Sequence, residues 1–141
     1  MKRKHKNQIT EQQTTDIMSE ILLKYAWSYA IQDVPDRLLR QNFMNVAITA
    51  WNMSLLSDDD CQAAINSFIV SMRAGSGGQV DETNMTALEN DLHALIKLEK
   101  GLYPTNRKMV ISAELYDDGD KVGCRTASAD FDELVREKLT R

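Results

Sequence analysis

The sequence predicts a mainly α fold, α+β by count, with a four-helix bundle-like core, a C-terminal β-hairpin and a short final helix. Two observations support this class. Apolar residues recur at three- and four-residue spacing through most of the chain, which is typical of amphipathic helices. Beyond residue 108 the spacing changes to two, on either side of an Asp-Gly pair, which is typical of a hairpin.

The domain organisation follows from length and composition. The chain has 141 residues, of which 43% are hydrophobic and 27% charged, values that suit one globular domain. Residues 1–12 are polar, basic and aperiodic, so we expect a disordered arm followed by a single domain over 13–141. Two separated cysteines, no signal-peptide pattern and no long apolar stretch predict a cytoplasmic protein with no membrane association.

The first two helices have clear limits. The apolar spacing starts near residue 15, and the first helix is expected to end near Asp33, because Val34 precedes proline and a residue in that position avoids the α conformation. The second helix is predicted over residues 36–56, with Pro35 in its first turn. Residues 43–55 are apolar around most of the helix, so we expect this helix to be the central one.

The third helix is predicted to begin at Ser57, a favourable N-cap, with the acidic residues 58–60 in the first turn. A glycine-rich segment at 73–80 is expected to be a flexible loop. Asp81 then caps a fourth helix, and Gly101 is expected to be the first residue beyond its end.

The C-terminal part changes period. Met109, Ile111, Ala113 and Leu115 alternate with polar or opposite-facing residues and predict one face of a strand. Residues 117–120 predict the hairpin turn and residues 122–126 the return strand. A capping-box pattern at 130–133 predicts a short helix that ends near residue 139.

Catalytic and metal motifs are weak in this sequence. The acidic residues 58–60 suit a helix start, and those at 117–120 do not follow the spacing of a calcium loop. His93 and Glu89 share a helix face, but the only other histidine lies in the arm, so neither a metal site nor a histidine base is expected. Cys61 is expected to be a small core residue, and Cys124 a core or half-exposed residue of the return strand, because no base is near it in sequence.

We therefore expect the protein to bind no cofactor. An enzyme built from scattered carboxylates such as Glu20, Asp91 or Glu114 stays open, because one sequence does not reveal which acids converge in space.

One helix face has an unusual composition. The second helix carries a stripe of uncharged polar residues, and no charged residue occurs between positions 41 and 57. The members of this stripe are Gln41, Asn45, Thr49 and Asn52. Amides and hydroxyls suit a partly desolvated face that forms hydrogen bonds with another element, either of the same chain or of a second subunit.

Aromatic residues on the first helix suggest a partner surface. Trp27 and Tyr29 lie on a helix with two apolar stripes, and such residues dominate the energetics of interfaces. We therefore expect a non-catalytic interaction or regulatory module that binds a protein partner or a second copy of itself. The alternative is nucleic-acid binding through Lys2, Arg3, Lys4 and Lys6, although the rest of the chain has a net charge of −8, four units below the −4 of the whole.

Overall fold

The computed structural model describes residues 18–75, residue 77 and residues 81–139. The basic arm expected at 1–12 lies outside the described residues, as do residues 76 and 78–80 of the loop expected at 73–80. Helices dominate the described residues, and an antiparallel hairpin and a short final helix follow them. The predicted mainly α class with a C-terminal hairpin is therefore confirmed.

The elements follow one another in a simple order. Helix α1 covers residues 18–26 and continues as a short π-helix over Trp27–Ile31. The remaining elements are α2 (Arg37–Ser54), α3 (Asp58–Gly75), α4 (Glu82–Leu102), β1 (Lys108–Asp118), β2 (Lys121–Asp130) and α5 (Phe131–Leu139).

The contacts within the chain form two compact units. The first unit holds the described residues up to Asn45 together with those from Lys108 onward, and the second unit is Val46–Arg107. The boundary between them falls inside α2. The single domain expected over 13–141 stays a prediction.

Side-chain caps explain where the helices begin. In the described residues, four helices start beside a side chain that accepts a backbone N–H from the first turn. The acceptors and the residues that donate to them are Asp36 and Leu39 (2.9 Å), Ser57 and Asp60 (3.3 Å), Asp81 and Thr83 (2.8 Å), and Asp130 and Glu133 (3.0 Å). The starts expected at residues 57, 81 and 130 are confirmed. Pro35 precedes the cap of α2 instead of lying in its first turn.

Two helix ends differ from expectation. Helix α3 continues through residues 73–75, which the sequence placed in the loop. Helix α4 runs through Gly101 to Leu102, because the N–H of Tyr103 still bonds to the carbonyl oxygen of Glu99 at 2.7 Å. Gly101 is thus a helical residue and does not form the predicted stop.

The first unit combines α1, the start of α2, the hairpin and α5. Its buried apolar residues are Met18, Leu22, Tyr25, Ala26, Ala30, Ile31, Met44, Val110, Ala113, Leu115 and Cys124. The hydroxyls of Ser19 and Thr126 lie 2.9 Å apart and connect α1 to β2. The hairpin is therefore packed on helices, as a two-stranded sheet requires for stability.

The second unit combines the end of α2 with α3 and α4. Its apolar core comprises Ala47, Ala50, Trp51, Met53, Leu55, Cys61, Ile65, Ile69, Met85, Leu92, Leu95 and Ile96. Lys100 binds Asp58 at 2.8 Å and Arg73 binds Glu82 at 2.7 Å, so an ion pair lies near each end of the α3–α4 pair. Within residues 46–55, Ala47, Ala50, Trp51, Met53, Ser54 and Leu55 are buried, and the central position expected for α2 stays a prediction.

The hairpin closes with a two-residue turn, Gly119 and Asp120, between the paired residues Asp118 and Lys121. Gly119 has a φ of +64°, which explains the glycine at this position. The predicted strand face is wrong in its first half. A β-bulge between Val110 and Ser112 shifts the alternation, so Val110 is buried and Ile111 is 61% exposed.

Candidate functional site

A polar cavity of about 180 Å³ lies in the second unit, where α2 and α4 end. It opens to solvent on one side, and its walls come from the last turns of the two helices and from the segment that follows α4. The lining residues are Ser54, Leu55, Leu56, Glu99, Lys100, Pro104, Asn106 and Arg107. We call this space the Glu99 cavity.

Glu99 is the most unusual residue of this cavity, because it is a carboxylic acid with only 3% of its surface exposed. It follows Leu92, Leu95 and Ile96 at helical spacing, so α4 directs its side chain to the same buried face. Glutamates are almost never this buried unless they are paired. The cavity therefore contains an acidic group that is held away from bulk water.

Burial raises the pKa of Glu99, and a hydrogen bond with Ser54 and the charges of Lys100 and Arg107 act in the opposite direction without cancelling that effect. The hydroxyl of Ser54 has two acceptors in reach, the carboxylate of Glu99 and the carbonyl oxygen of Trp51, to which it donates at 2.5 Å. A hydroxyl has one hydrogen and donates to one acceptor at a time. While it donates to Trp51 it does not stabilise an ionised Glu99.

The basic residues of the cavity are balanced by acids. Lys100 donates to Asp58 at 2.8 Å, and this hydrogen bond raises the pKa of Lys100 and lowers that of Asp58. Arg107 is close enough to Glu99 to favour its ionised form. With Glu99 ionised, these four side chains sum to zero charge, with negative charge on the cavity wall at Glu99 and positive charge at Lys100 and Arg107.

A second feature lies in the first unit, on the surface of α1. Glu20, Leu23, Lys24 and Trp27 line a shallow groove of about 430 Å³, and its exposed atoms are mostly apolar. We call these four residues the α1 surface. Trp27 is 44% exposed and sits where α1 changes from α-helical to π-helical geometry.

No protein-family model, curated protein or solved structure matches the chain. What the protein does therefore has to be inferred from the chemistry of its own residues.

The polar stripe of α2 is used partly within the chain. Gln41 donates to the carbonyl oxygen of Ala113 at 3.0 Å and accepts the N–H of Leu115 at 2.9 Å, so its amide binds the backbone of β1. It also donates to Asn45 at 2.9 Å. Gln41, the first residue of the stripe, therefore forms hydrogen bonds with another element of the same chain, one of the two arrangements that the sequence left open.

The other predicted partner-binding residues fall in different places. Tyr29 packs on Phe43 with ring centroids 5.3 Å apart, so its ring contributes to packing within the first unit. Asn45 belongs to the first unit, whereas Thr49 and Asn52 belong to the second. Of the two predicted aromatic anchors, Trp27 and Tyr29, Trp27 is the more exposed, and it lies on the α1 surface.

Other sequence candidates have structural roles or stay predictions. Within the described residues, no group of three or more acidic, histidine or cysteine side chains could hold a metal ion. Cys61 and Cys124 are buried, and burial raises the pKa of Cys124 to about 11, which keeps it a thiol.

None of the described helices is both long and apolar enough to cross a membrane. The basic residues 2–6 lie outside the described residues.

Sequence reasoning did not identify the Glu99 cavity. A signal was present, since Glu99 occupies the next position of the apolar stripe formed by Leu92, Leu95 and Ile96. A charged residue in such a stripe is expected to be buried or to end the stripe. Its neighbours Ser54 and Arg107 are distant in sequence, so the rest of the cavity had no such signal.

Proposed function

We propose that this protein is a non-catalytic interaction module that self-associates through the α1 surface. The observation that carries the proposal is the half-exposed indole of Trp27 beside Leu23 in a mostly apolar groove. Large aromatic side chains dominate the binding energy of protein interfaces. A cytoplasmic location, expected from the sequence, is part of the same proposal.

The charges of the α1 surface favour a second copy of the chain as the occupant. Glu20 and Lys24 are one helical turn apart and lie beside Trp27. In an antiparallel pair of α1 helices, a two-fold axis between positions 20 and 24 places Glu20 of each copy opposite Lys24 of the other. The surface is therefore complementary to itself, which a symmetric dimer requires.

Trp27 supplies the apolar part of this contact. In the same antiparallel arrangement Trp27 flanks the two Glu20–Lys24 pairs on both sides of the axis. Exposed ion pairs contribute about 0.2–1 kcal/mol each, whereas a well-packed tryptophan at an interface contributes about 2 kcal/mol or more. We therefore expect affinity to come mainly from Trp27, and the orientation of the two helices to come from the charges.

The test is analytical ultracentrifugation of the full chain over a range of concentrations. Wild-type protein is expected to form a dimer, and Trp27→Ala is expected to weaken it about thirtyfold or more. Leu38→Ala is the control, because Leu38 is 78% exposed on α2 and lies outside the α1 surface. Circular dichroism verifies that each variant keeps its helical content.

A charge swap tests the antiparallel arrangement. Glu20→Lys and Lys24→Glu are each expected to weaken the dimer, because each places like charges opposite one another. The double variant restores opposite charges and is expected to recover most of the wild-type affinity. A wild-type chain that stays monomeric, or a Trp27→Ala variant that associates as well as wild type, contradicts self-association through this surface.

A further inference from the structure

We propose that the Glu99 cavity binds a small zwitterion, a molecule with one cationic and one anionic group at the size of the smaller α-amino acids. This inference is independent of self-association, because all residues that line the cavity belong to the second unit and the α1 surface belongs to the first.

The size of the cavity limits the ligand. A cavity of roughly 150 Å³ accommodates a benzene-sized molecule, and the Glu99 cavity measures about 180 Å³. Alanine has as many non-hydrogen atoms as benzene. Molecules with bulky side chains would extend through the open side into solvent. The apolar wall formed by Leu55, Leu56 and Pro104 suits a ligand whose middle is hydrocarbon.

The charges of the cavity select the chemical class. Lys100 is already paired with Asp58, so Arg107 and Glu99 are the charges that a ligand meets. A simple anion at Arg107 would meet the carboxylate of Glu99, and a simple cation at Glu99 would meet Arg107. A zwitterion can place its ammonium group at Glu99 and its carboxylate near Arg107. Charge-assisted hydrogen bonds of this kind are about twice as strong as neutral ones.

The buried state of Glu99 adds a proton linkage. Burial raises the pKa of Glu99, whereas an ammonium group beside it favours the ionised form. Binding therefore releases a proton from those molecules in which Glu99 is protonated. The affinity for the zwitterion is expected to fall as the pH falls, since protonation removes the charge that binds the ammonium group.

The experiment is a titration of the full chain with L-alanine, followed by two-dimensional NMR of the backbone amides. Propionate and ethylamine are matched ligands, because each is alanine without one of its charged groups. We expect saturable shifts at Leu55, Leu56, Asn106 and Arg107, with a dissociation constant for alanine near or below about 1 mM. Propionate and ethylamine are expected to bind at least about tenfold more weakly.

Variants locate the effect on Glu99. Glu99→Gln keeps the shape of the side chain but removes its charge and replaces one acceptor oxygen by an NH2 donor, so we expect it to weaken alanine binding at least about tenfold. Glu114→Gln is the control, because Glu114 is exposed on β1. If Glu99→Gln does not fold, the comparison of ligands with wild-type protein still decides the proposal.

Three results would overturn the proposal. One is the absence of saturable shifts with alanine, glycine and serine. Another is equal binding of propionate or ethylamine and alanine, which would indicate a site for a simple ion. The third is a set of shifts at residues away from the cavity, which would place the binding elsewhere.

Discussion

The side chain of Gln41 takes the place of a neighbouring strand at the edge of β1. A strand partner would accept the N–H of one residue and donate to the carbonyl two residues earlier, and the amide of Gln41 does both, at Leu115 and Ala113. Unpaired strand edges invite association with other chains. Gln41 thus satisfies two backbone groups and connects α2 to the hairpin.

Replacing Gln41 by alanine is expected to lower the free energy of unfolding by about 1–3 kcal/mol, since two partly buried backbone groups lose their partner. Gln62→Ala is a matched control. Gln62 also donates to an asparagine four residues later, at 3.0 Å to Asn66, but it is exposed. Its replacement is expected to change stability by less than about 0.5 kcal/mol. Urea titration measures both, and equal losses would refute the structural role of Gln41.

Glu99 gives the unfolding free energy a pH dependence of known sign. Its pKa is higher in the folded chain than the ordinary value of 4.5. The unfolded chain therefore loses this proton first as the pH rises, so Glu99 destabilises the fold progressively from about pH 4.5 up to its folded pKa. Below that window the residue is protonated in both states and has no such effect.

Glu99→Gln is expected to remove this contribution. The stability of the variant relative to wild type should improve as the pH rises through the window, as measured by urea titration at several pH values. Glu114→Gln, at an exposed position, is expected to show no comparable trend. A stability difference between Glu99→Gln and wild type that is constant with pH would show that Glu99 has the same pKa in the folded and the unfolded chain.

Element identities were largely predictable from the sequence, because spacing and caps act locally. Ser57, Asp81 and Asp130 cap their helices as expected, and the chain turns at Gly119 and Asp120, within the residues 117–120 predicted for the hairpin turn. The bulge at Ile111 was not predictable, because it depends on which strand residues can pack on the helices. The π-helical turn that begins at Trp27 was not predicted either, because no local sequence pattern indicates it.

The site was less predictable than the elements. The unusual composition of α2 drew attention to Gln41 as a candidate partner-binding residue, but the sequence did not reveal that its amide would bind the backbone of β1. The Glu99 cavity combines Ser54, Glu99 and Arg107, which only tertiary packing brings together. Burial of a charged residue also runs against the average preference of glutamate, so composition alone argues for the opposite.

Two glycines are expected to respond to alanine with opposite signs. Gly119 has a φ of +64° in the turn, so Gly119→Ala is expected to destabilise the hairpin by about 1–2 kcal/mol. Gly101 lies within α4 with no atom near the position of an added Cβ, so Gly101→Ala is expected to stabilise it by about 0.5–1 kcal/mol.

Urea titration of both variants distinguishes the turn from the helix. A stabilising Gly119→Ala would show that the turn does not require a left-handed residue. A destabilising Gly101→Ala would show that α4 ends before this glycine, as the sequence alone suggested.

For the whole molecule, self-association ties stability to protein concentration. If the folded chain dimerises through the α1 surface and the unfolded chain does not, a tenfold increase in concentration adds about 0.7 kcal/mol per chain to the folded state above the dissociation constant. For a chain of this size the thermal midpoint should then rise by about 2–4 °C.

Differential scanning calorimetry at several concentrations measures this dependence directly. Trp27→Ala is expected to abolish it within the tested range, because loss of the indole moves the dissociation constant above the protein concentration. Leu38→Ala, which changes an exposed leucine of α2, should retain it. A wild-type midpoint that does not move with concentration would mean that the exposed Trp27 has no second copy of the chain as its partner, and would direct attention to a different protein as the occupant of the α1 surface.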